Sequence, residues 1–339
     1  MKTMTKKVTM EDIAGRLNIS KNAVSLALRN KPGISDKMRE NVLKVANELN
    51  YGKIPAVPSV LNILALVPGR LSVRTANSFY AQVCFHMESY AKSLGYNLVI
   101  ASVDPEEEAV CLPPSILKSI DFMGIIAIGN LSYNYITMLA KLGLRILLAD
   151  QYYPSLPINS VTSANASGGY ILTRHLIENG HKAIEYFGQK LFTSSLYDRW
   201  IGYSRAMTEA GLVVRENGYH YTRSNHGEED RRHIESALGK LDEMPTAVFC
   251  GNDHIAGELI SVLEQKGLSV PDDISVVGFD DLEIPAVIIH QLTTYHTKKA
   301  ALACTAVDSI IHYQPDPPKN ISIYGEPVFR KSVKNIRQE

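Results

Sequence analysis

The chain has 339 residues, 45% of them hydrophobic and 21% charged, which is too long for one ordinary domain and normal for a soluble globular protein. Its formal charge is zero at pH 7, yet residues 1–60 hold eleven Lys or Arg against five Asp or Glu, so a head of +6 precedes a remainder of −6. The apolar runs fall far below membrane-spanning length and no early apolar stretch follows the basic start, which argues against a secreted or membrane-embedded product and for a cytoplasmic one. Cys84, Cys111, Cys250 and Cys304 have no CxxC or Cys/His ligand spacing, so buried free thiols are expected, with no metal and no cofactor.

The first elements read as two short helices joined by a tight turn, Val8 to Ser35. Thr9 is an N-cap supported by Asp12, and Ile13, Ala14 and Leu17 make one apolar face. Asn18 suits the left-handed turn that follows. Ser20 caps a second helix with Val24, Ala27 and Leu28 inward and Lys21, Asn22, Ser25 and Arg29 outward. Ser35 caps a third helix in which Met38, Val42, Val45, Ala46 and Leu49 keep helical spacing and close the core. A helix-turn-helix with a basic outer face fits duplex DNA, where side chains at the start of the second helix reach base edges and cations meet phosphates. A polar outer face on any small helical domain is the plain alternative, and the charge asymmetry weighs against it.

VTMEDIA, NIS, NAVSLALRN and VANELNY resemble the DNA-binding head of the LacI-type (lactose-repressor) family of transcriptional regulators, and the resemblance extends over nearly the whole chain. It implies a double-stranded operator as partner and base reading by Lys21 and Asn22. Thr9, Ser20, Ser25, Leu26, Arg29, Asn30 and Ser35 complete the expected DNA-binding set. Leu26 departs from the family, which usually has arginine after the serine of its VSR pattern; leucine cannot hydrogen-bond a base, although it can touch a thymine methyl.

Residues 52–60 contain Gly52, Pro55 and Pro58 and read as a linker. The resemblance implies a hinge helix here with a pattern like NxxARxL, but this chain has no such pattern, so none is expected. From Leu61 apolar runs alternate with helical patterns. LNILALV, NLVIAS, GIIAIG and RILLAD are buried strands separated by helices at Phe79–Leu94, Pro114–Ile120 and Tyr133–Leu142. AIEYFG, TAVFCG and ISVVGF form a second series with helices near Ala166–Glu178, Leu196–Ala210, Glu229–Leu241 and Ile255–Lys266, and QLTTYHT, the helix Lys298–His312 and ISIYGEPVFRKS come last.

The expected fold is α/β: a three-helix head on a two-lobe, doubly wound parallel-sheet core, like a periplasmic binding protein. The expected domains are 1–51, the linker 52–60, and a core 61–339. Its first lobe takes about 61–160 and 291–321, and its second 161–290 and 322–339. The resemblance, not periodicity, supplies the three crossovers between lobes.

Ligands of open α/β sheets gather at the carboxyl ends of the strands. Asp150 ends RILLAD, Asn252 and Asp253 follow TAVFCG, and Asp280 with Asp281 ends ISVVGFDD, while SSLYDRWIGY supplies Tyr197 and Arg199. Each short polar residue has a helix cap as its plain alternative, Asp253 above all. The resemblance places Asp150, Arg199, Asn252 and Asp280 on positions that hold a small polar effector. Phe79, Tyr80 and Trp200 are candidates for an aromatic wall, and Thr297 with Lys298 replaces the family's frequent glutamine-proline pair. The expected effector-binding set is Phe79, Asp150, Tyr197, Arg199, Asn252 and Asp280, for a sugar or similar polyol first and a nucleobase-like ligand second.

The function expected is a ligand-responsive transcriptional regulator that represses carbohydrate-uptake genes as a homodimer on a palindromic operator. The alternative is an α/β enzyme with a nucleic-acid-binding head. No GxGxxG, GxxxxGK[ST], GxSxG or HExxH is present, and no catalytic residue is assigned. A secreted solute receptor has no use for the basic head.

Overall fold

The computed structural model describes residues 9–28, 33–49, 51, 61–70, 78–214, 227–285, 289 and 291–337. Two compact units divide the chain, Met1–Ser59 and Val60–Glu339. Among the described residues the first holds three helices, α1 (Met10–Leu17), α2 (Lys21–Leu28) and α3 (Asp36–Glu48). Thr9 donates its amide to Asp12 Oδ2 at 2.6 Å, and the Ser20 and Ser35 hydroxyls accept the Ala23 and Met38 amides. Each helix therefore starts at its expected cap. Asn18 ends α1 in the left-handed region, φ 52. Ile13, Ala14, Val24, Ala27, Val42, Val45 and Ala46 are the buried core of this unit, with Leu17, Leu28 and Leu49 half-covering it. The expected linker, 52–60, lies outside the described residues.

The second unit has two lobes. The first begins with β1 (Asn62–Pro68), α4 (Phe79–Ser93), β2 (Asn97–Val103), α5 (Pro105–Ala109), β3 (Gly124–Ile128), α6 (Tyr133–Ala140), β4 (Arg145–Ala149) and β5 (Asn159–Ser163). The second contains α7 (Asn165–Glu178), β6 (Ile184–Phe187), α8 (Ser194–Glu209), α9 (Gly227–Leu238), β7 (Ala247–Cys250), α10 (Asp253–Gln265) and β8 (Ser275–Val277). The tail adds β9 (Thr294–His296), α11 (Lys299–Ile311), β10 (Asn320–Ile323) and β11 (Glu326–Val328).

The first sheet runs in the order β10-β5-β4-β3-β1-β2 with every pair parallel, and Ala65 lies opposite Ile100 on one side and Ile126 on the other. Ile63, Ala65 and Val67 pack with Val83 and Met87 of α4 and Leu302, Ala306 and Ile310 of α11. Leu64 and Leu66 face the other way onto Tyr135, Ile136 and Leu139 of α6. A strand covered on both faces must be apolar at every position, which is why LNILALV reads as one run. The second sheet is β6-β7-β8, extended by bridges from Val277 to Thr293 and Asp280 to His296, with β11 antiparallel to β9.

Three expectations are corrected. Pro114–Ile120 is a 3-10 turn at Ser115–Lys118, while a short helix, α5, starts at Pro105 behind the cap Asp104. Pro113 and Pro114 lack the amides a longer helix needs, whereas Asp-Pro-Glu-Glu is itself a helix start. β9 joins the second lobe, so the return to the first comes at Thr297 and Lys298 rather than near residue 290, and β5 holds the first lobe to Ser163. Of the four free thiols only Cys84 and Cys250 are fully buried. Among the described residues no helix is long and apolar enough to cross a membrane.

Candidate DNA interface and effector cleft

At the start of α2, Lys21 and Asn22 are exposed, whereas Ser25 and Leu26 are half-buried. Lys21 Nζ donates to Glu11 Oε1 at 2.5 Å, in a pair that is 59% and 60% exposed. That bond holds the Glu11 carboxyl below and the Lys21 ammonium above their usual ranges. Thr9, Ser20 and Ser35 serve as caps, and the Thr9 hydroxyl also donates to Asp12 at 2.8 Å. Arg39 Nη1 donates to the Leu26 and Ala27 carbonyls, each at 3.4 Å, and fastens the end of α2 to α3. Arg29 and Asn30 lie outside the described residues.

In the second unit a cleft is lined by residues of both lobes, among them Phe79, Tyr80, Asp150, Arg199, Asn252 and Asp280. Arg199 reaches it because α7 and α8 touch backbone to backbone. A side chain at Gly202 would strike the Ala166 carbonyl at 2.1 Å, and one at Gly169 the Arg199 carbonyl at 2.4 Å. The guanidinium then ties three chain segments together. Nε donates to Asn165 Oδ1 at 2.9 Å, Nη1 to the Gly251 carbonyl at 2.6 Å and Nη2 to Asp280 Oδ1 at 3.1 Å. Its plane lies 3.8 Å over the Phe279 ring, a cation–π contact.

Asp150 follows β4 with φ 60 and Asp280 follows β8 with φ 108, left-handed turns that aim each carboxylate out of its strand end. Tyr80 donates its hydroxyl to Asp150 Oδ2 at 3.1 Å, and Ser195 donates from the other lobe to Asp150 Oδ1 at 3.2 Å. Burial pushes the Asp150 carboxyl up to about 6; Arg199 opposes the shift and Asp280 adds to it. Lys299, itself buried, donates to the Asp280 carbonyl at 2.6 Å, and Thr297 to the same oxygen at 3.2 Å. The pair that replaces glutamine-proline thus divides: Thr297 braces the cleft wall and Lys298 bonds Glu326 at 2.6 Å.

Asn252 caps α10, its Oδ1 accepting the Ile255 amide at 2.9 Å, and still lines the cleft. Asp253 is the first helical residue rather than the cap. It is wholly buried, accepts the Thr294 hydroxyl at 2.7 Å and the Leu282 amide at 2.9 Å, and is pushed up to about 7 by burial, with the Asp280 charge adding. Asp281 turns away to Arg330 at 2.6 Å and His296 at 3.0 Å. Tyr197 does not line the cleft; it is 39% exposed and tilts against Trp200, over which Lys190 sits at 4.5 Å. On a helix, 195, 196 and 199 share a face that 197 does not. Phe79 lines the cleft while packing into the first-lobe core. The sequence reading missed Ser195, Asn165, Asn130, Phe192 and His254; only Ser195 and His254, one turn from or beside a named residue, carried a local signal.

The description "Bacterial regulatory proteins, lacI family" matches residues 9–53, and "Periplasmic binding protein-like domain" matches 173–333. The chain belongs to the lacI family. Relatives include the HTH-type transcriptional repressor PurR of Photobacterium profundum, 28% identical over 97% of this chain and 99% of that one. The ribose operon repressor of Haemophilus influenzae is 29% identical with the same coverage. Among solved structures, the lac repressor dimer bound to operator and the anti-inducer ONPF is 25% identical, with TM-score 0.67 over 97% of this chain and 100% of that one. A CelR–cellobiose complex, 21% identical with TM-score 0.70, covers 96% and 99% and shares the fold. This lacI-family chain is a DNA-binding transcriptional repressor with a ligand-binding domain, and not an enzyme.

Proposed function

We propose that this cytoplasmic regulator represses carbohydrate-uptake genes as a homodimer on a palindromic operator, and that its effector is an uncharged, monosaccharide-sized polyol. The observation that carries the effector reading is the pairing of Arg199 with Asp280 in a cleft that also holds Asp150. Three of the five guanidinium donors of Arg199 are spent inside the second lobe, and its charge is paired with Asp280. Asp150 and Asp280 line the cleft from opposite lobes, and two carboxyl groups there favour hydroxyl donors over phosphate or carboxylate. The relative named for the ribose operon points the same way.

On the DNA side, Lys21 and Asn22 read bases, with Leu26 against a thymine methyl, in a head spanning residues 1–51 and joined by 52–60 to the lobes. The second copy covers β2, an edge strand with Ile100 exposed, and α4, where Phe85 is 66% exposed. Thermal-shift measurement with pentoses, hexoses, their phosphates and nucleobases on wild type, Asp150→Asn and Asp280→Asn tests the reading. A free sugar should stabilise wild type only. Stabilisation by a sugar phosphate, or equal stabilisation of all three proteins, overturns it.

A further inference from the structure

The first turns of α8 carry more than the effector arginine. Among the described residues, four hydrogen-bonded residue pairs join this stretch of the second lobe to loops after β3 and β4 of the first. Asn130 Nδ2 donates to the Phe192 carbonyl at 2.8 Å, and Ser195 bonds Asp150. The Tyr152 amide donates to Ser194 Oγ at 3.1 Å, and the Tyr152 hydroxyl to Asp198 Oδ1 at 2.8 Å. The first two involve residues that line or border the cleft. Ser194, Tyr152 and Asp198 do not line it.

We propose that the Tyr152–Asp198 hydrogen bond is a closure latch, which sets how readily the lobes close, and so how tightly the effector is held, without touching the effector. The geometry favours a latch over a passive contact. Both partners are half-buried, and burial raises the Tyr152 hydroxyl and the Asp198 carboxyl above their usual ranges. The hydroxyl donates and the carboxyl accepts, and with Asp198 ionised the bond is charge-assisted. Each partner sits on a different lobe, so separating the lobes removes this bond and exposes both groups to water. Ser195, three positions before Asp198 on the same helix turn, ties to Asp150 in the cleft, so latch and effector site share one rigid segment. A residue of the latch then acts on the effector by shifting the open-to-closed ratio, as any group that favours one state must.

The proposal rests on the effector reading only in making closure regulatory; closure itself is tested without a ligand. The Tyr152 amide bonds across the lobes, so its hydrogen exchange follows the open fraction even when that fraction is small. In the full chain, Tyr152→Phe should speed exchange in the segment 150–153 on the order of ten- to a hundred-fold, the usual range for a charge-assisted bond. Asp198→Ala should match it. Asp198→Asn keeps an acceptor for the Tyr152 hydroxyl and should stay within a few-fold of wild type. Amides inside β4 and the latter half of α8 should not change in any variant. Retention of the same proteins on duplex DNA should shift in one direction for both opening variants. Unchanged exchange in Tyr152→Phe, or Asp198→Asn exchanging as fast as Asp198→Ala, overturns the latch. Altered exchange with unaltered DNA retention overturns its regulatory role, and failure of every sugar to bind overturns the effector reading alone.

Discussion

Arg199 and Asp280 meet at 3.1 Å in the second lobe, with side chains only 5% and 9% exposed. An ion pair this dry is costly to break from one side, because the survivor stays buried and charged. Arg199→Ala should therefore lower stability by about 3–5 kcal/mol, apart from any effect on ligand binding. Asp280→Asn, which keeps an oxygen for Arg199 and tolerates the φ of 108, should cost less. Adding Asp280→Asn to Arg199→Met should recover part of the loss of Arg199→Met alone. Urea unfolding of the variants checks this, and a loss under about 1 kcal/mol for Arg199→Ala would contradict it.

Asp253 makes stability depend on pH. Its carboxyl is pushed up to about 7 in the folded chain, against an ordinary 3.8, by burial. Between about pH 4 and 7 the folded state then holds the proton that the unfolded chain has released, so stability falls as pH rises across this window. Asp150, pushed up to about 6, adds in the same sense. Asp253→Asn should fold, since an amide oxygen can face the Leu282 amide while its nitrogen donates to the Thr294 hydroxyl. It should flatten much of the fall, and melting temperatures from pH 4.5 to 7.5 measure it. A slope identical to wild type would remove Asp253 as the source.

The caps Thr9, Ser20 and Ser35, the turn at Asn18 and the buried strands were legible because each depends on residues within four positions. Asp150, Asn252 and Asp280 were legible as strand ends, and Arg199 as a cation at a helix start, which the family resemblance reinforced. What escaped depends on how segments distant in sequence meet. Ser195 bonds Asp150 from 45 residues away and was marked only by lying one turn from Arg199, while Asn165 bonds Arg199 from 34 and no local pattern marks it. Tyr197 was misread because proximity to Arg199 in sequence places it on a different face of α8. Asp253 was mistaken for the cap because an Asn-Asp pair offers two short side chains, and only the backbone decides which precedes the first turn.

The Glu11–Lys21 pair gives the head a measurable charge signature. In the proposed base-reading role, contact with DNA competes with the bond from Lys21 to Glu11. Glu11→Gln should then strengthen binding to any duplex and steepen its salt dependence, while Lys21→Ala or Asn22→Ala should cost roughly 1–3 kcal/mol on the preferred site and relax its sequence. Titrations of specific and scrambled duplexes at several salt concentrations separate the two. Equal losses on both duplexes for Asn22→Ala would show that it touches phosphate rather than a base.

The linker should act as a tether rather than a wedge. In the sequence, a proline at 55 and at 58 disfavours the helical conformation for the residue before it, and Gly52 adds chain entropy, which argues against a helix through 52–60. A minor-groove wedge needs apolar side chains at helical spacing inserted between base steps, and such insertion kinks duplexes by about 20–90°. Without such a helix, two heads on an operator should bend it little, below about 20°. Specificity must then come from base contacts by α2 rather than from operator deformability. A circular-permutation gel assay on a selected site measures the bend. Strong bending that disappears when residues between Lys53 and Val60 are changed would show that this segment orders on DNA after all.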